Sequence, residues 1–241
     1  MIIRCLSILV SFLALPPGAG TAAIVTAEEV VRTVEERLAP QNFRATYRFT
    51  NTRLDKTTTV YEVAFSTRDS DHSHGAFSKP EREKGREILR LSDALWTFLP
   101  GVGRVVRIAD RDSFAGGDFS NADVLRVDWL SKYKPSMLKE LPSQWIIELT
   151  ATSNEAPYAR MRLWVDRKTT QPVQQQFFDS QGTLLKTCLY GSIKSYGTLS
   201  RPSHLLMENL ITKQHSELEI LALELVPSLP DRRFAIDSLG K

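Results

Sequence analysis

The stretch FRATYRFTNTRLDKTTTVYEVAF, residues 43–65, decides the fold class. Its first part alternates strictly, so that Tyr47 and Phe49 fall on one face of an extended chain and Arg and Thr residues fall on the other. A polar, turn-like stretch at 51–56 separates this part from a second alternating run that ends at Phe65. The pattern is typical of a long β-hairpin with one dry and one wet face, and it predicts an antiparallel sheet.

The chain beyond this hairpin continues mainly as strands. Gly, Pro and polar turns separate the runs, and no alternation of strands with helices points to a parallel doubly wound fold. Residues 68–84 are predicted to be an exposed loop, and residues 110–139 an irregular stretch with a short helix near 121–127. In total we predict about eleven strands and one substantial helix. The later strands are expected at 87–91, 95–99, 104–108, 145–150, 159–166, 172–178, 184–196, 204–213 and 217–225.

Strand periodicity also predicts which side chains face inward. Trp96 shares a face with Phe98 only if its strand is regular. Periodicity does not distinguish residues that line a cavity from residues of an ordinary core, so both interpretations stay open. The residues expected on the inward face, as candidates to contact a lipid, are Tyr47, Phe49, Phe65, Leu91, Phe98, Trp145, Ile147, Met161 and Leu163.

A helix is predicted over residues 26–38, before the hairpin. Thr26 and Glu29 have the spacing of a capping box, and Pro40 ends the helical pattern. An amphipathic helix must cover its apolar side, so we expect it to lie on the apolar face of the sheet as a lid over part of a cavity. Its apolar stripe consists of Val30, Val31, Val34 and Leu38.

The first 23 residues have the pattern of a secretory signal peptide. Arg4 supplies the positive charge, 5–15 is an apolar run too short to span a bilayer, and small residues follow. We therefore predict export to the periplasm, one domain over 24–241 and no membrane span after cleavage. A retained N-terminal anchor is the alternative interpretation. After cleavage Cys188 is the remaining cysteine, and its strand-like setting predicts a buried, unreactive thiol.

Composition and motifs give no positive support for catalysis or nucleic-acid binding. The net charge of +3 is small and the basic residues are not clustered. The sequence contains no phosphate-binding loop, nucleophile elbow or zinc-protease motif. His72 and His74 lie near Asp69 and Asp71, but a surface loop is the preferred interpretation over a metal site. We predict a protein that is not an enzyme and holds no cofactor or metal.

The central segment carries a resemblance to a known family. WTFLP at 96–100 is followed by GRVVRI at 103–108 and by SFAGGDFSNAD at 113–123. In order and spacing this resembles the exported LolA-like proteins, the outer-membrane lipoprotein-sorting proteins, and the similarity extends over residues 27–234. Ser120 and Asp123 have capping-box spacing, so the motif is interpreted as structural. The motif residues are Arg104, Arg107, Asp118, Phe119, Ser120 and Asp123.

The resemblance implies a mainly β (α+β) fold: a strongly curved antiparallel sheet that forms an incomplete β-barrel, with helices across its concave side. Family members of known role bind acyl chains or lipoproteins in that cavity, where each shielded methylene gains about 0.8 kcal/mol. The resemblance therefore implies a monomeric periplasmic carrier of lipids or lipoprotein acyl chains in outer-membrane transport. An inner-membrane transporter is a candidate partner.

A second hypothesis comes from another functional class. The same fold can serve as a non-catalytic accessory or sensor protein that docks on an envelope transporter or another envelope protein. The irregular stretch at 110–139 would then supply the interaction loop.

Overall fold

The computed structural model describes residues 25–241, and the predicted signal peptide lies outside this part. Neither α-helix in the described part is long and apolar enough to cross a membrane. The helices are α1 (Ala27–Leu38) and α2 (Asn121–Leu125). The strands are β1 (Phe43–Thr52), β2 (Thr58–Asp69), β3 (His72–Lys79), β4 (Glu87–Leu91), β5 (Ala94–Leu99), β6 (Arg104–Ile108), β7 (Tyr133–Glu140), β8 (Gln144–Ala151), β9 (Arg160–Asp166), β10 (Pro172–Phe178), β11 (Leu184–Tyr196), β12 (Leu199–Asn209) and β13 (His215–Leu225).

The strands form one antiparallel sheet of 13 strands, in the order β6-β5-β4-β3-β2-β1-β13-β12-β11-β10-β9-β8-β7. Strands β1 to β6 make one meander and β7 to β13 make a second, and the two join where β1 pairs with β13. The sheet does not close, so β6 and β7 remain as its two edges. The predicted incomplete barrel of mainly antiparallel strands is confirmed.

The hairpin that the sequence predicts is present as β1 and β2. The two strands pair along the whole of β1, from Phe43 opposite Thr67 to Thr52 opposite Thr58. Phe49, on the apolar side of the alternation, is only 1% exposed. The other side of the hairpin faces water, as the polar half of the pattern predicts.

A single large cluster of buried side chains fills the concave side of the sheet. It includes Ile88 and Leu95 from β4 and β5, near one edge, as well as Ile147 and Leu149 from β8, near the other. Side chains from both ends of the sheet can share one cluster only if the sheet curves around it. The core therefore lies inside the incomplete barrel.

Helix α1 packs against β7 and β12 on this concave side. Its N-terminus has the predicted capping box, because the Glu29 N–H donates to Thr26 Oγ1 at 3.2 Å and the Thr26 N–H donates to Glu29 Oε2 at 2.8 Å. Val31 and Val34 are fully buried beneath the helix. The amphipathic stripe thus faces the sheet as expected.

A second, smaller cluster of buried side chains lies on the outer face of the sheet. It contains some of the residues that were predicted to point inward. Its fully or largely buried members include Leu89 of β4 and Phe234 of the C-terminal tail. Leu91, Trp96 and Phe98 pack in this cluster, not in the main core where Leu91 and Phe98 were expected. The reason is that Leu89 pairs with Trp96 on the outer face, while Ile88 occupies the inner one.

The two segments predicted to be irregular contain strands. Residues 72–79 form β3 and residues 133–140 form β7, so the predictions of a loop at 68–84 and of an irregular stretch at 110–139 are wrong in these parts. Polar residues of β3 are buried because they have partners: Ser73 Oγ lies 2.9 Å from Thr67 Oγ1. Gly75 marks a close approach, since a Cβ atom there would lie 2.7 Å from the Phe65 ring.

Candidate ligand cavity

A cavity lies on the concave side, between the sheet and two covering elements. Its floor consists of residues from β1, from the end of β2 and the turn after it, and from β10 to β13, and its cover consists of the end of α1 and residues 119–129. The volume is about 60 Å³, which is space for a few water molecules and much less than an acyl chain requires. Among its lining residues are Tyr47, Phe119, Phe177, Tyr190, Leu205 and Met207.

Most of the residues that were predicted to line a cavity do not border this cavity. Tyr47 lines it, and of the helix stripe Leu38 does, whereas Val30, Val31 and Val34 pack underneath α1. The other predicted residues on the concave side belong to the main core: Phe49, Phe65, Trp145, Ile147, Met161 and Leu163.

Sequence reasoning missed the contribution of β10 to β12. Phe177, Cys188 and Tyr190 line the cavity, as do Leu205 and Met207. The signal for them was available, because Cys188 and Tyr190 are two apart in a predicted strand and must share a face. The sequence does not show which of the inward-facing residues lie beneath the cover.

The motif that carries the family resemblance forms the cover. Phe119 lies 6.3 Å from Phe49, between ring centroids, and lines the cavity. Ser120 and Asp123 make the predicted capping box that begins α2: the Asp123 N–H donates to Ser120 Oγ at 3.2 Å and the Ser120 N–H donates to Asp123 Oδ2 at 2.8 Å. Phe114 adds a third ring, 4.7 Å from Phe49. We call residues 113–125 the plug, because the aromatic side chains of this segment fill the core.

Asp118 fastens this plug to the sheet. Its side chain is buried and accepts hydrogen bonds from Ser216 Oγ at 2.9 Å and from Asn209 Nδ2 at 3.1 Å. Its carbonyl oxygen accepts one from Lys186 Nζ at 2.6 Å. These contacts join the plug to β11, β12 and β13, so they fix the position of the cover above the cavity floor.

The remaining motif residues lie far from the cavity. Arg104 and Arg107 are exposed on β6, at the edge of the sheet, and their odd separation places them on opposite faces as predicted. The Arg107 guanidinium lies 5.9 Å from the centroid of the Trp96 ring. The structure gives Arg104 no comparable contact within the described residues.

One cation borders the cavity. Arg201 of β12 is 5% exposed, and its Nη1 donates a hydrogen bond to the carbonyl oxygen of Leu38, the last residue of α1. Burial raises the pKa of the Tyr47 hydroxyl, although the nearby Arg201 charge opposes this shift. The Tyr190 hydroxyl, which donates to Gln175 Oε1 at 2.7 Å, has its pKa raised well above the usual value by burial. Both phenols are therefore neutral at physiological pH.

Among the described residues that line the cavity, the one thiol is not activated as a nucleophile. Cys188 is buried, and this burial raises the pKa of its thiol, which keeps it protonated and unreactive. Neither histidine near Asp69 lines the cavity, although Asp69 itself does. His72 Nδ1 lies 2.8 Å from Asp69 Oδ1, and His74 Nε2 lies 2.7 Å from Glu87 Oε2. Within residues 25–241 no group of three or more metal-ligating side chains converges.

Glu35 links α1 to the segment that follows α2. Its Oε1 accepts a hydrogen bond from the Leu130 N–H at 2.8 Å. Burial raises the pKa of the Glu35 carboxyl to about 7, and the neighbouring Asp128 charge acts in the same direction. The contact between α1 and the segment after α2 thus includes a carboxyl that changes its charge near neutral pH.

We expect this carboxyl to make stability fall as the pH rises from about 4.5 to about 7, because the folded protein then holds a proton that the unfolded chain has lost. Glu35→Gln keeps the acceptor for Leu130 but cannot ionise. It should remove about 1–2 kcal/mol of that pH dependence, since the carboxyl is only partly buried. Urea unfolding of both proteins between about pH 5 and about pH 8 measures the difference. Parallel curves for the two proteins would contradict the raised pKa.

Comparison with known proteins shows which solved structures have a similar fold. A family model described as an uncharacterized protein matches residues 69–241. A LolA superfamily protein from Nitrosomonas europaea is similar, with a TM-score of 0.81, 25% identity and coverage of 89% of this chain and 100% of that chain. An outer membrane lipoprotein-sorting protein domain from Vibrio parahaemolyticus has a TM-score of 0.75 and 22% identity, with 90% and 98% covered.

A DUF1329 family protein from Desulfovibrio piger has the same fold, with a TM-score of 0.78, 19% identity and coverage of 88% of this chain and 97% of that chain. No curated protein sequence matches the chain. The LolA-like resemblance that residues 96–123 predict is confirmed by these similarities in structure.

Proposed function

This chain belongs to the uncharacterized family whose model matches residues 69–241 and has the LolA-like fold, and from this we propose that it carries lipids or the acyl chains of lipoproteins. The observation that supports the proposal is the covered cavity on the concave side, with its mostly apolar lining. The carrier would act in the periplasm as a monomer without catalysis, in outer-membrane lipid or lipoprotein transport. An inner-membrane transporter would be the source of its cargo.

Binding would require the cover to move. The cavity of about 60 Å³ is too small for a chain, so the chain must take the place of contacts made by α1 or by the plug. Burying ten methylenes contributes about 8 kcal/mol, which is enough to replace the contacts of a short helix. Displacement of α1 would also release Arg201 from the Leu38 carbonyl, and the guanidinium could then pair with an anionic or carbonyl oxygen of the ligand.

The alternative is an accessory or sensor protein that docks on an envelope protein, and the structure removes part of the segment on which it was based. It rested on residues 110–139 as an exposed interaction loop. Phe114 and Phe119 of this segment are each 2% exposed and pack against Phe49, so these side chains are not available for docking. Arg111, Asp112 and Ser131 of the same segment are exposed.

The proposal predicts that filling the cavity abolishes acyl-chain binding. Leu205 lines the cavity, while the next residue, Leu206, pairs with Leu189 on the other face of the sheet. Leu205→Trp should weaken binding of a dansyl-labelled fatty acid at least about tenfold, whereas Leu206→Trp should leave it unchanged. Fluorescence titration of the two variants and the wild type measures this.

Native mass spectrometry of protein purified from the cell envelope supplies an independent readout. We expect wild-type protein to contain co-purified lipid and the Leu205→Trp protein to contain less. Thermal unfolding of both variants checks that each remains folded. A wild-type protein that is empty and also ignores phospholipid and palmitoylated peptide would refute the carrier function.

A further inference from the structure

The two edges of the open sheet differ in whether another strand can be added. Strand β7 has Pro135, which lacks an N–H, and an irregular register between Met137 and Lys139. A proline and a bulge are two devices by which proteins keep an edge strand from pairing. Edge β7 is therefore protected by its own sequence.

Strand β6 has neither device. Its five residues pair in regular register with β5, from Arg104 opposite Leu99 to Ile108 opposite Leu95. In the part of the chain that the structure describes, no hydrogen bond outside the β5–β6 ladder reaches these residues. Val105 and Val106 at its centre are β-branched, which suits strand pairing. The outward N–H and C=O groups of β6 are thus available.

The side chains of β6 specify the charge of a partner. Arg104 and Arg107 are exposed, and neither forms an ion pair with a carboxylate among residues 25–241. Of the carboxylates near Arg107, Asp110 pairs with Arg90 and Asp93 lies 2.6 Å from Arg126 Nη1. Asp112 and Glu155 line the same surface depression, and within the described residues neither is in ion-pair contact with Arg107. An edge that carries two unpaired guanidinium groups favours an acidic strand.

We propose that β6 is a docking edge to which an extended acidic segment of a partner protein adds as a further strand. A second copy of this chain is a poor occupant, because both copies would bring the same two guanidinium groups and no carboxylate of β6 to the shared edge, and like charges oppose such pairing. A flat anionic membrane is also a poor occupant, because the two arginines point to opposite faces of the sheet. The added strand gains main-chain hydrogen bonds and two ion pairs.

The geometry also specifies the spacing of the acidic residues. Residues three apart in β6 face residues three apart in an added strand, with one pair on each face of the sheet. The recognised segment therefore has two acidic residues separated by two β-branched or apolar ones. This spacing distinguishes strand addition from simple charge attraction.

Two peptides of the same composition test the spacing in the full chain. In Thr-Glu-Val-Val-Glu-Thr the acidic residues are three apart, and in Thr-Glu-Val-Glu-Val-Thr they are two apart and share one face. We expect the first to bind about fivefold more tightly and to shift the backbone amide resonances of residues 104–108. Arg104→Gln with Arg107→Gln should remove this preference. The matched control, Lys134→Gln with Lys139→Gln on β7, should leave it intact.

Three results would overturn the proposal. They are equal binding of both peptides, amide shifts elsewhere than β6, and arginine-dependent binding to phosphatidylglycerol vesicles without binding to either peptide. The last would assign the arginines to a membrane surface. Circular dichroism of the glutamine variants confirms that they are folded. Because β6 lies at the sheet edge and not at the cavity, none of these results bears on lipid binding.

Discussion

Replacing Asp118 with alanine is expected to lower the free energy of unfolding by about 2–5 kcal/mol. The carboxylate is 6% exposed and is the acceptor for Ser216 Oγ and Asn209 Nδ2. Without it, the buried Ser216 hydroxyl and the half-buried Asn209 amide both lose their acceptor, at a cost of about 1–3 kcal/mol for the buried hydroxyl and less for the amide. The effect should be accompanied by faster hydrogen exchange in residues 113–125, because the plug loses its attachment to β12 and β13.

The control for this prediction is Asp237→Ala. Asp237 is an exposed aspartate of the C-terminal tail, so removing its carboxylate should change stability by less than about 0.5 kcal/mol. Asp118→Asn should fall between the two, because the amide keeps one acceptor oxygen and presents an NH₂ group to the other donor. Chemical unfolding of the three variants gives the ranking. An Asp118→Ala protein as stable as the Asp237→Ala protein would show that the Asp118 carboxylate does not hold the plug in place.

Features that depend on neighbouring residues were predictable from the sequence. The hairpin at 43–65 follows from alternation, and the capping boxes at Thr26 and Ser120 follow from the spacing of a hydroxyl and a carboxylate. The antiparallel sheet could therefore be predicted before the pairing of its strands was known. The resemblance in residues 96–123 then extended the prediction to an open barrel.

The alternation of apolar and polar residues does not identify the inward face of a strand when both faces are covered. In β4, the neighbours Ile88 and Leu89 are both fully buried, one in the main core and one under the C-terminal tail. With apolar side chains on both faces, periodicity cannot assign the inward one, and Leu91 and Phe98 were placed on the wrong side. Strand β3 was missed for a related reason. His74 is polar yet buried, because Glu87 on the next strand is its partner.

The cavity depends on contacts between residues far apart in sequence. Asp118 and Ser216 are 98 positions apart, and Arg201 is 163 positions from Leu38. Nothing local in either stretch indicates that these residues meet. For this reason the concave side was predictable, whereas the residues that border the cavity were not.

The two parts of the cover are held in different ways. The plug has a buried polar network around Asp118, and Asn51 Nδ2 donates to the Ala115 carbonyl at 3.0 Å. Helix α1 is held by valine contacts and by three separate hydrogen bonds, from Leu130 N–H to Glu35, from Arg37 to the Ser200 carbonyl and from Arg201 to the Leu38 carbonyl. Apolar contacts can be replaced by an acyl chain, while a buried polar network cannot. Helix α1 is therefore the part that we expect to move.

Val34→Asp is expected to loosen α1, with a loss of about 3 kcal/mol or more in the free energy of unfolding. Val34 is 0% exposed, so the new carboxylate would be buried under the helix without a partner. Three valines in a helix of 12 residues give it little stability of its own, so it depends on this packing. Hydrogen exchange should rise over residues 27–38 while the central strands stay protected.

The matched control is Glu36→Asp, which places the same side chain on the exposed face of α1. It should leave both stability and exchange close to wild type. Adding a fatty acid to the wild type should raise exchange in α1 in the same region as Val34→Asp does, because the chain replaces the contacts of the helix. If α1 is as protected as the central strands, and neither the ligand nor Val34→Asp changes that protection, then α1 is a fixed element. The ligand would have to enter by displacing the plug instead.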